Sequence, residues 1–349
     1  MKVPSNSPPA PEVTCQDAVD WKALVRKYQE PSLPRAIWQI VNTIGPYMLL
    51  WYLMYLSLSW SYWLTAGLAC LAGLFLIRIF IIFHDCGHGS FFRSSVANDV
   101  VGFITGMLTL TPYYHWRWEH AVHHASAGSL DRRGVGDIWT LTVEEYLRSS
   151  RWRRFSYRLA RNPLVLFGVG PLYLLLLQQR FPSSKASKRE RESVHWMNLA
   201  IACLMLVQIW GLGLVPFILV QLTITLVGGG IGIWLFYVQH QFEDVYWERA
   251  GAWDFKSAAL EGSSFYKLPR VLQWFSGNVG FHHIHHLSPR IPNYNLERCH
   301  ESDPLFSDVK PLTLFASLRS LAFRLWDEQK GMLVSFAHLK EIKRVESEH

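Results

Sequence analysis

The chain has 349 residues, of which 50% are hydrophobic, 14% aromatic and only 17% charged, against roughly 25% charged in an ordinary soluble domain. That balance excludes disorder, collagen and a highly charged nucleic-acid module. Net charge is +7, but the positive residues flank uncharged apolar runs, so the basic surface fits an anionic membrane and no nucleic-acid partner is expected.

Residues 1–35 contain Pro4, Pro8, Pro9, Pro11, Pro31 and Pro34 with charges of both signs, and read as a polar N-terminal arm without the apolar core of a signal peptide. Residues 36–349 read as a single membrane domain. From Ala36 to Ile77 no Asp, Glu, Lys or Arg occurs in 42 residues. One crossing needs about 20 apolar residues, so this run predicts two, turning near Ser57, Ser59 and Ser61. Ser193 to Phe242 repeats the pattern over 50 residues, turning at Gly211, Gly213 and Pro216. The expected fold is thus an all-α integral membrane protein with four transmembrane helices in two hairpins.

Two shorter uncharged runs, Val100–Trp116 and Asn162–Gln179, are predicted to lie at the interface, the second broken by Pro163 and Pro171. Arg78, just past the first long run, is expected to snorkel to the surface. Arg117 to Arg161 holds nine arginines against five acids, and the bias of Lys and Arg to the cytoplasmic side places both termini and the large connections there. The cysteines Cys15, Cys70, Cys86, Cys203 and Cys299 show no CxxC spacing and predict no disulfide framework.

The fifteen histidines carry the chemistry. His84-Asp-Cys-Gly-His88 has i, i+4 spacing; His120-Ala-Val-His123-His124 and His282-His-Ile-His285-His286 have i, i+3 and i+4. On a helix, such spacings bring imidazoles one turn apart on one side, where they converge on a metal. Eight imidazoles exceed the four ligands of a tetrahedral zinc and suffice for two metals of higher coordination number. No Cys-rich or Met-rich cluster points to copper, and iron suits imidazole ligands. The isolated His115, His195, His300, His338 and His349 read as hydrogen-bonded or surface residues.

The order HDCGH, HAVHH, HHIHH, set between the two long apolar runs, resembles the membrane fatty acid desaturase family, specifically its acyl-lipid omega-6 and omega-3 members. The likeness covers about Ile77 to Tyr294 and includes PYYHWRWEHAVHH, GDIWT and YVQHQFEDVYW. It implies two Fe ions held by His84, His88, His120, His123, His124, His282, His285 and His286, with His240 as a further ligand. It also implies O2 as co-substrate, an acyl lipid as substrate, and electrons from a ferredoxin or cytochrome b5-type carrier. A cis double bond would form by removal of two hydrogens from adjacent carbons, oxygen leaving as water. Where the acyl-CoA branch has a water-holding asparagine, four residues before the extra histidine, this chain has Phe236; Asn278 is a weak substitute. Asp85 and Asp137 are candidates to orient ligand imidazoles.

Two alternatives use the same residues. A related hydroxylase would share the metal centre, since one hydrogen abstraction followed by oxygen rebound gives an alcohol. A membrane metal-binding receptor or transporter is the non-enzyme alternative, disfavoured because the histidines sit at the ends of spans rather than near the midplane. No nicotinamide, flavin or haem motif is present, so a separate electron-carrier protein is implied, and Arg148, Arg151, Arg153 and Arg154 are candidates to dock it or to contact lipid head groups.

Overall fold

The computed structural model describes residues 20–341. Cys15, His349 and the prolines before residue 20 lie outside the described residues. What is described of the N-terminal arm is packed: α1 (Trp21–Arg26) is capped by the Asp20 carboxylate and buries Val25. The second helix, α2 (Leu33–Ser57), begins with Pro34 in its first turn, where a missing N–H costs nothing. A short turn leads into α3 (Tyr62–His88), and the Ser57 and Thr65 hydroxyls join the two at 2.7 Å.

Helix α3 stops where it must for the first pair of histidines to stand at its end. Gly89 adopts φ 68°, a left-handed cap natural to glycine, and the Ser90 N–H returns to the Asp85 carbonyl. Helices α4 (Ser95–Leu108) and α5 (Tyr113–Ser126) follow, the second carrying the second histidine motif. The uncharged run Val100–Trp116, expected to be one interfacial helix, is thus split between two, with Leu110 at positive φ in the bend. At 14 residues α4 spans about 21 Å and is too short to cross.

After β1 (Leu141–Thr142) come α6 (Val143–Arg148) and α7 (Arg151–Ala160); the first has a reciprocal capping box between Thr142 and Glu145. Residues Val165–Arg180 form α8, wound largely as π-helix and bent 65° from α7 at Asn162-Pro163. Helix α8 packs on the long helix α10 (Leu214–His240), which α9 (Lys188–Leu212) precedes. Helices α3 and α10 form the central pair and touch closely at Gly73, where a Cβ would stand 2.8 Å from Val227.

Among the described residues three helices, α3, α9 and α10, are long and apolar enough to cross a membrane, or four if α7 and α8 make one bent span. Helix α2 has the length, 25 residues, but mixes its apolar face with Arg35, Gln39, Asn42 and Pro46. Its outward residues are nevertheless Ile37, Val41, Met48, Leu49 and Tyr52.

Two expectations are corrected. The protein is mostly helical but not all-α: β1 pairs in parallel with β4 (Leu325–Asp327), which pairs antiparallel with β5 (Met332–Val334), and β2 (Phe265–Lys267) pairs with β3 (Pro311–Thr313). Strands of two or three residues leave no readable alternation. Arg78 does not snorkel; it is buried at mid-helix, donating from Nε to Thr43 Oγ1 at 3.0 Å and from a terminal nitrogen to the Trp274 carbonyl, with its guanidinium 3.9 Å from the centre of the Trp274 ring. A hydroxyl, a carbonyl and an aromatic face together replace the water it would have reached.

The remaining helices form a cap beyond the ends of the long helices: α11 (Phe255–Leu260), α12 (Arg270–Phe275), α13 (His282–Leu287), α14 (Asn293–His300) and α15 (Pro304–Ser307). Val25 of α1, Ile284, Leu287, Leu296 and Phe306 make its core. Each such side chain contributes about 1.5–3 kcal/mol of burial, and together they fix α13, a helix of six residues that would not form alone.

Candidate metal centre

The nine predicted ligands come from four helices. His84 and His88 occupy the last turn of α3, and His240 ends α10. Helix α5 supplies His120, His123 and His124; α13 supplies His282, His285 and His286. Seven of the nine are buried, with His88 and His120 half-buried. The end of α10 is tied directly to the start of α13: the Ser264 N–H donates to the Gln239 carbonyl at 3.0 Å, and Gln239 Nε2 to the Val279 carbonyl at 2.9 Å. The Tyr266 N–H donates to the Gly280 carbonyl at 2.7 Å, completing the strap.

The imidazoles divide into two groups. His84, His88, His120, His124 and His285 converge in one, and His123, His240 and His286 in the other, the ligand atoms of each group lying within 4.8 Å of one another. His282 joins the second group through His240, Nε2 to Nε2 at 3.0 Å. Residues i and i+4 differ by about 40° around a helix, whereas i+3 falls on the other side of i by about 60°. In α5 the i, i+4 pair, His120 and His124, therefore serves the first group and His123 the second. Helix α13 does the reverse, giving His282 and His286 to the second group and His285 to the first. Stacked rings of His124 and His286, 4.1 Å apart, mark the boundary.

Neighbouring acceptors fix which nitrogen faces inward. Asp137 Oδ1 lies 2.6 Å from His123 Nδ1, the Gly262 carbonyl 3.2 Å from His240 Nδ1, and Asp85 Oδ1 3.1 Å from His84 Nδ1. Asp85 is itself held, its Oδ2 accepting from the Asn293 backbone N–H at 2.6 Å and side-chain amide at 2.8 Å. An acceptor at Nδ1 takes the ring proton there and leaves Nε2 as a bare lone pair.

That arrangement tests whether a metal fits. His123 and His240 both have their protons committed on Nδ1, yet their Nε2 atoms approach to 3.1 Å. Two lone pairs so placed repel unless a cation lies between or beside them. Buried His88 Nε2 and His286 Nε2 have no hydrogen-bond partner among the described residues. Burial, reinforced by neighbouring imidazoles, holds His120, His124, His282, His285 and His286 well below the ordinary histidine pKa, in the neutral form that ligates. The residues present fit two metal ions.

Other histidines are engaged elsewhere. His283 of the third motif turns away from both groups toward His300 Nδ1 and the Phe306 carbonyl, at 3.2 and 3.1 Å, and burial pushes its pKa down to about 3. His115 accepts from the Ser183 N–H, His338 meets Asp327 and Glu341, and His195 is exposed. Asn278 is not in the cluster. Its amide bonds Gln273 and the Asn293 carbonyl, so it reaches His84 only through Asn293 and Asp85. Phe236 stands 5.2 and 5.4 Å from the rings of His123 and His240, and with Asp137, Gln241 and Trp247 it encloses a cavity of about 10 Å³, room for one water.

Sequence reasoning missed the Gly262 carbonyl, Asn293 and Trp116, which stacks on His120 at 4.4 Å. Only Trp116 left a signal, four residues before His120 on the same helix.

A bundle of long helices, three of them candidate membrane spans, that carries nine imidazoles in two groups at one end defines a histidine-rich protein whose clusters could hold metal ions. Comparison with known sequences places it further: residues 59–308 match the family model described as fatty acid desaturase, and the chain belongs to that family. It is an oxidoreductase. The chain is 50% identical to a fatty acid desaturase of Bacillus subtilis, over 91% of its own length and 90% of the relative's. It is 28% identical to the sn-1 oleoyl-lipid 12-desaturase of Synechocystis sp., covering 86% of this chain and 84% of that one. Against the sn-1 acyl-lipid omega-3 desaturase (ferredoxin) of Synechocystis sp. the figures are 25%, 81% and 77%.

Proposed function

We propose that this protein is an oxygen-dependent di-iron desaturase that introduces a cis double bond into an acyl chain of a membrane lipid. The observation that carries this reading is the division of nine imidazoles into groups of five and four. When bound, the two irons supply the oxidising chemistry, using O2 and external electrons to remove two hydrogens from adjacent carbons. The protein's own residues do the rest. Asp137, Asp85 and the Gly262 carbonyl hold the ring protons on Nδ1, keeping each Nε2 free to ligate. Phe236 and Trp247 wall the second group from bulk water, which protects an oxidising site from side reactions.

Electrons come from a separate carrier of the ferredoxin or cytochrome b5 type, a reading supported by the Synechocystis relative whose name includes ferredoxin. Helix α7 supports lipid contact rather than carrier docking. It exposes Trp152, Phe155 and Leu159 beside Arg151 and Arg153, an amphipathic pattern suited to the interface, while Arg148 pairs with Glu144 and Arg154 bonds the Ser149 carbonyl. The chain crosses the bilayer four times, through α2, α3, α9 and α10, with the histidines and both termini on the cytoplasmic side.

Expression in a host with a simple lipid profile, followed by mass spectrometry of derivatised fatty acids, tests the reaction. New double bonds at one position are expected. New hydroxyl groups instead would point to the hydroxylase chemistry, and an unchanged lipid profile with carrier and O2 supplied would overturn the enzymatic reading. Metal analysis should find about two irons per chain; one tightly bound zinc and no iron would count against the di-iron centre.

A further inference from the structure

A second cavity lies away from the histidines. Between α4, α5 and α9 the surface opens into a groove of about 590 Å³, a size typical of ligand sites. Its character changes along its length. At one end stand Arg189, in the first turn of α9, and Glu192, whose carboxylate is taken by Lys188 at 3.7 Å; about 16 Å from Arg189 along the helix are Leu199 and Ala200, with Trp196 between and Phe103 of α4 opposite.

Arg189 has no carboxylate within salt-bridge distance among the described residues, unlike Lys188, which meets Glu192 at 3.7 Å. Its guanidinium rests 4.2 Å from the centre of the Tyr114 ring, a cation–π contact on one wall of the groove. Trp196 and Leu199 are 67% and 55% exposed, so the apolar half of the groove opens outward. The groove also reaches toward the metal centre. Its wall is Tyr113, whose hydroxyl donates to the Cys86 carbonyl at 2.7 Å and whose ring meets Phe83 at 5.8 Å. Phe83 packs on Trp116, which stacks on His120. Three aromatic rings in series, Tyr113, Phe83 and Trp116, therefore stand between the groove and His120 of the first histidine group.

We propose that this groove binds one glycerophospholipid, its phosphodiester on Arg189 and an acyl chain along Trp196 and Leu199. The occupant is chosen by charge and polarity together: a guanidinium without a carboxylate partner meets the phosphate at one end, and the exposed apolar stretch beyond it, Trp196 and Leu199, meets the chain. The choice of an acyl lipid rests on the desaturase reading, but the site can be tested without catalysis.

The full-length protein, purified in detergent, is incubated with dioleoyl phosphatidylglycerol, dioleoyl phosphatidylcholine or dioleoylglycerol, and retained lipid is counted by native mass spectrometry. One molecule of either phospholipid per chain is expected, with dioleoylglycerol retained on the order of tenfold less, as loss of a charge-assisted contact implies. Arg189→Glu should lower phospholipid retention by a similar factor, and Ala200→Phe should block it by filling the groove. Lys330→Glu, the same charge change in an exposed turn, should retain lipid normally. Equal retention of all three lipids, or unchanged retention in Arg189→Glu, would overturn the proposal, and the second result does not depend on whether Ala200→Phe folds. Iron content and product are measured on the same samples. Lost lipid retention with iron and product intact removes the groove alone; intact retention without iron or product removes the desaturase reading alone.

Discussion

His240 decides how many ligands the centre has, and its surroundings give the decision a measurable form. It ends α10, its Nε2 lies 3.1 Å from that of His123 and 3.0 Å from that of His282, and its Nδ1 faces the Gly262 carbonyl. We expect His240→Ala to lower iron content and activity by about tenfold or more, since even contacts behind the ligands are worth roughly 10–100-fold. His195→Ala, on the exposed side of α9, should leave both unchanged. Near-normal iron in the first variant, by inductively coupled plasma analysis, would remove His240 from the ligand set. Asp137 acts one bond further out. Asp137→Ala should weaken iron binding by about 10–100-fold in a chelator competition, and Asp137→Asn should restore part of it, because an amide oxygen still accepts from His123 Nδ1. At this scale the convergence of the histidines was legible because helical spacing encodes it. Asn293 and Gly262 were not, because Asn293, at the start of α14, meets Asp85 across 208 residues and Gly262 acts through its backbone.

Among the elements, α10 is held at its functional end by the segment that follows the cap. Arg161, fully buried after α7, donates to Gln241 Oε1 at 2.7 Å and to the Phe323 carbonyl at 2.9 Å, and the Tyr237 hydroxyl donates to the Ser320 carbonyl at 2.9 Å. Gln241 follows His240 directly, so this clamp fixes the exit of the chain from the metal centre. Arg161→Met keeps bulk but leaves the buried Gln241 Oε1 without a donor, at a cost of about 1–3 kcal/mol, while the Phe323 carbonyl keeps the Tyr237 hydroxyl at 3.0 Å. A lower melting temperature than the parent, read by tryptophan fluorescence in detergent, is the expected result; an unchanged one would show that the clamp is dispensable. Sequence patterning located every long helix, since uncharged runs of this length have few other fates in water. It failed where tertiary context outweighs local composition. Arg78 looked like a residue seeking the surface because Thr43 and Trp274, which satisfy it, lie 35 and 196 residues away. The Val100–Trp116 run broke in two because residues 109–112 bend the chain between two helices, a geometry that uniform apolarity conceals.

For the whole molecule, the placement of histidines at the ends of α3 and α10 dictates a sidedness. Both helices finish at the metal centre, so they run in the same direction, and the turns that precede them, near Ser59 and Gly211, lie at the opposite end. Helix α3 measures about 40 Å along its 27 residues, enough to carry those turns across a hydrocarbon core of about 30 Å. Direct labelling can check this. Ser126 and Ser288 flank the histidine motifs but are buried, whereas Ala125 and Arg290 beside them are exposed, as are Ser59 and Gly211. In a background with the native cysteines replaced, Ala125→Cys and Arg290→Cys should react with a membrane-impermeant maleimide from the cytoplasmic side only. Ser59→Cys and Gly211→Cys should react only from the other. Reaction of Ala125→Cys and Arg290→Cys from opposite sides would mean that a segment between α5 and α13 places them across the bilayer, and the five- and four-histidine groups could not then share one centre. Reaction of all four from one side would instead lay α3 and α10 along the surface, which their exposed apolar flanks and a cap confined to one end both oppose.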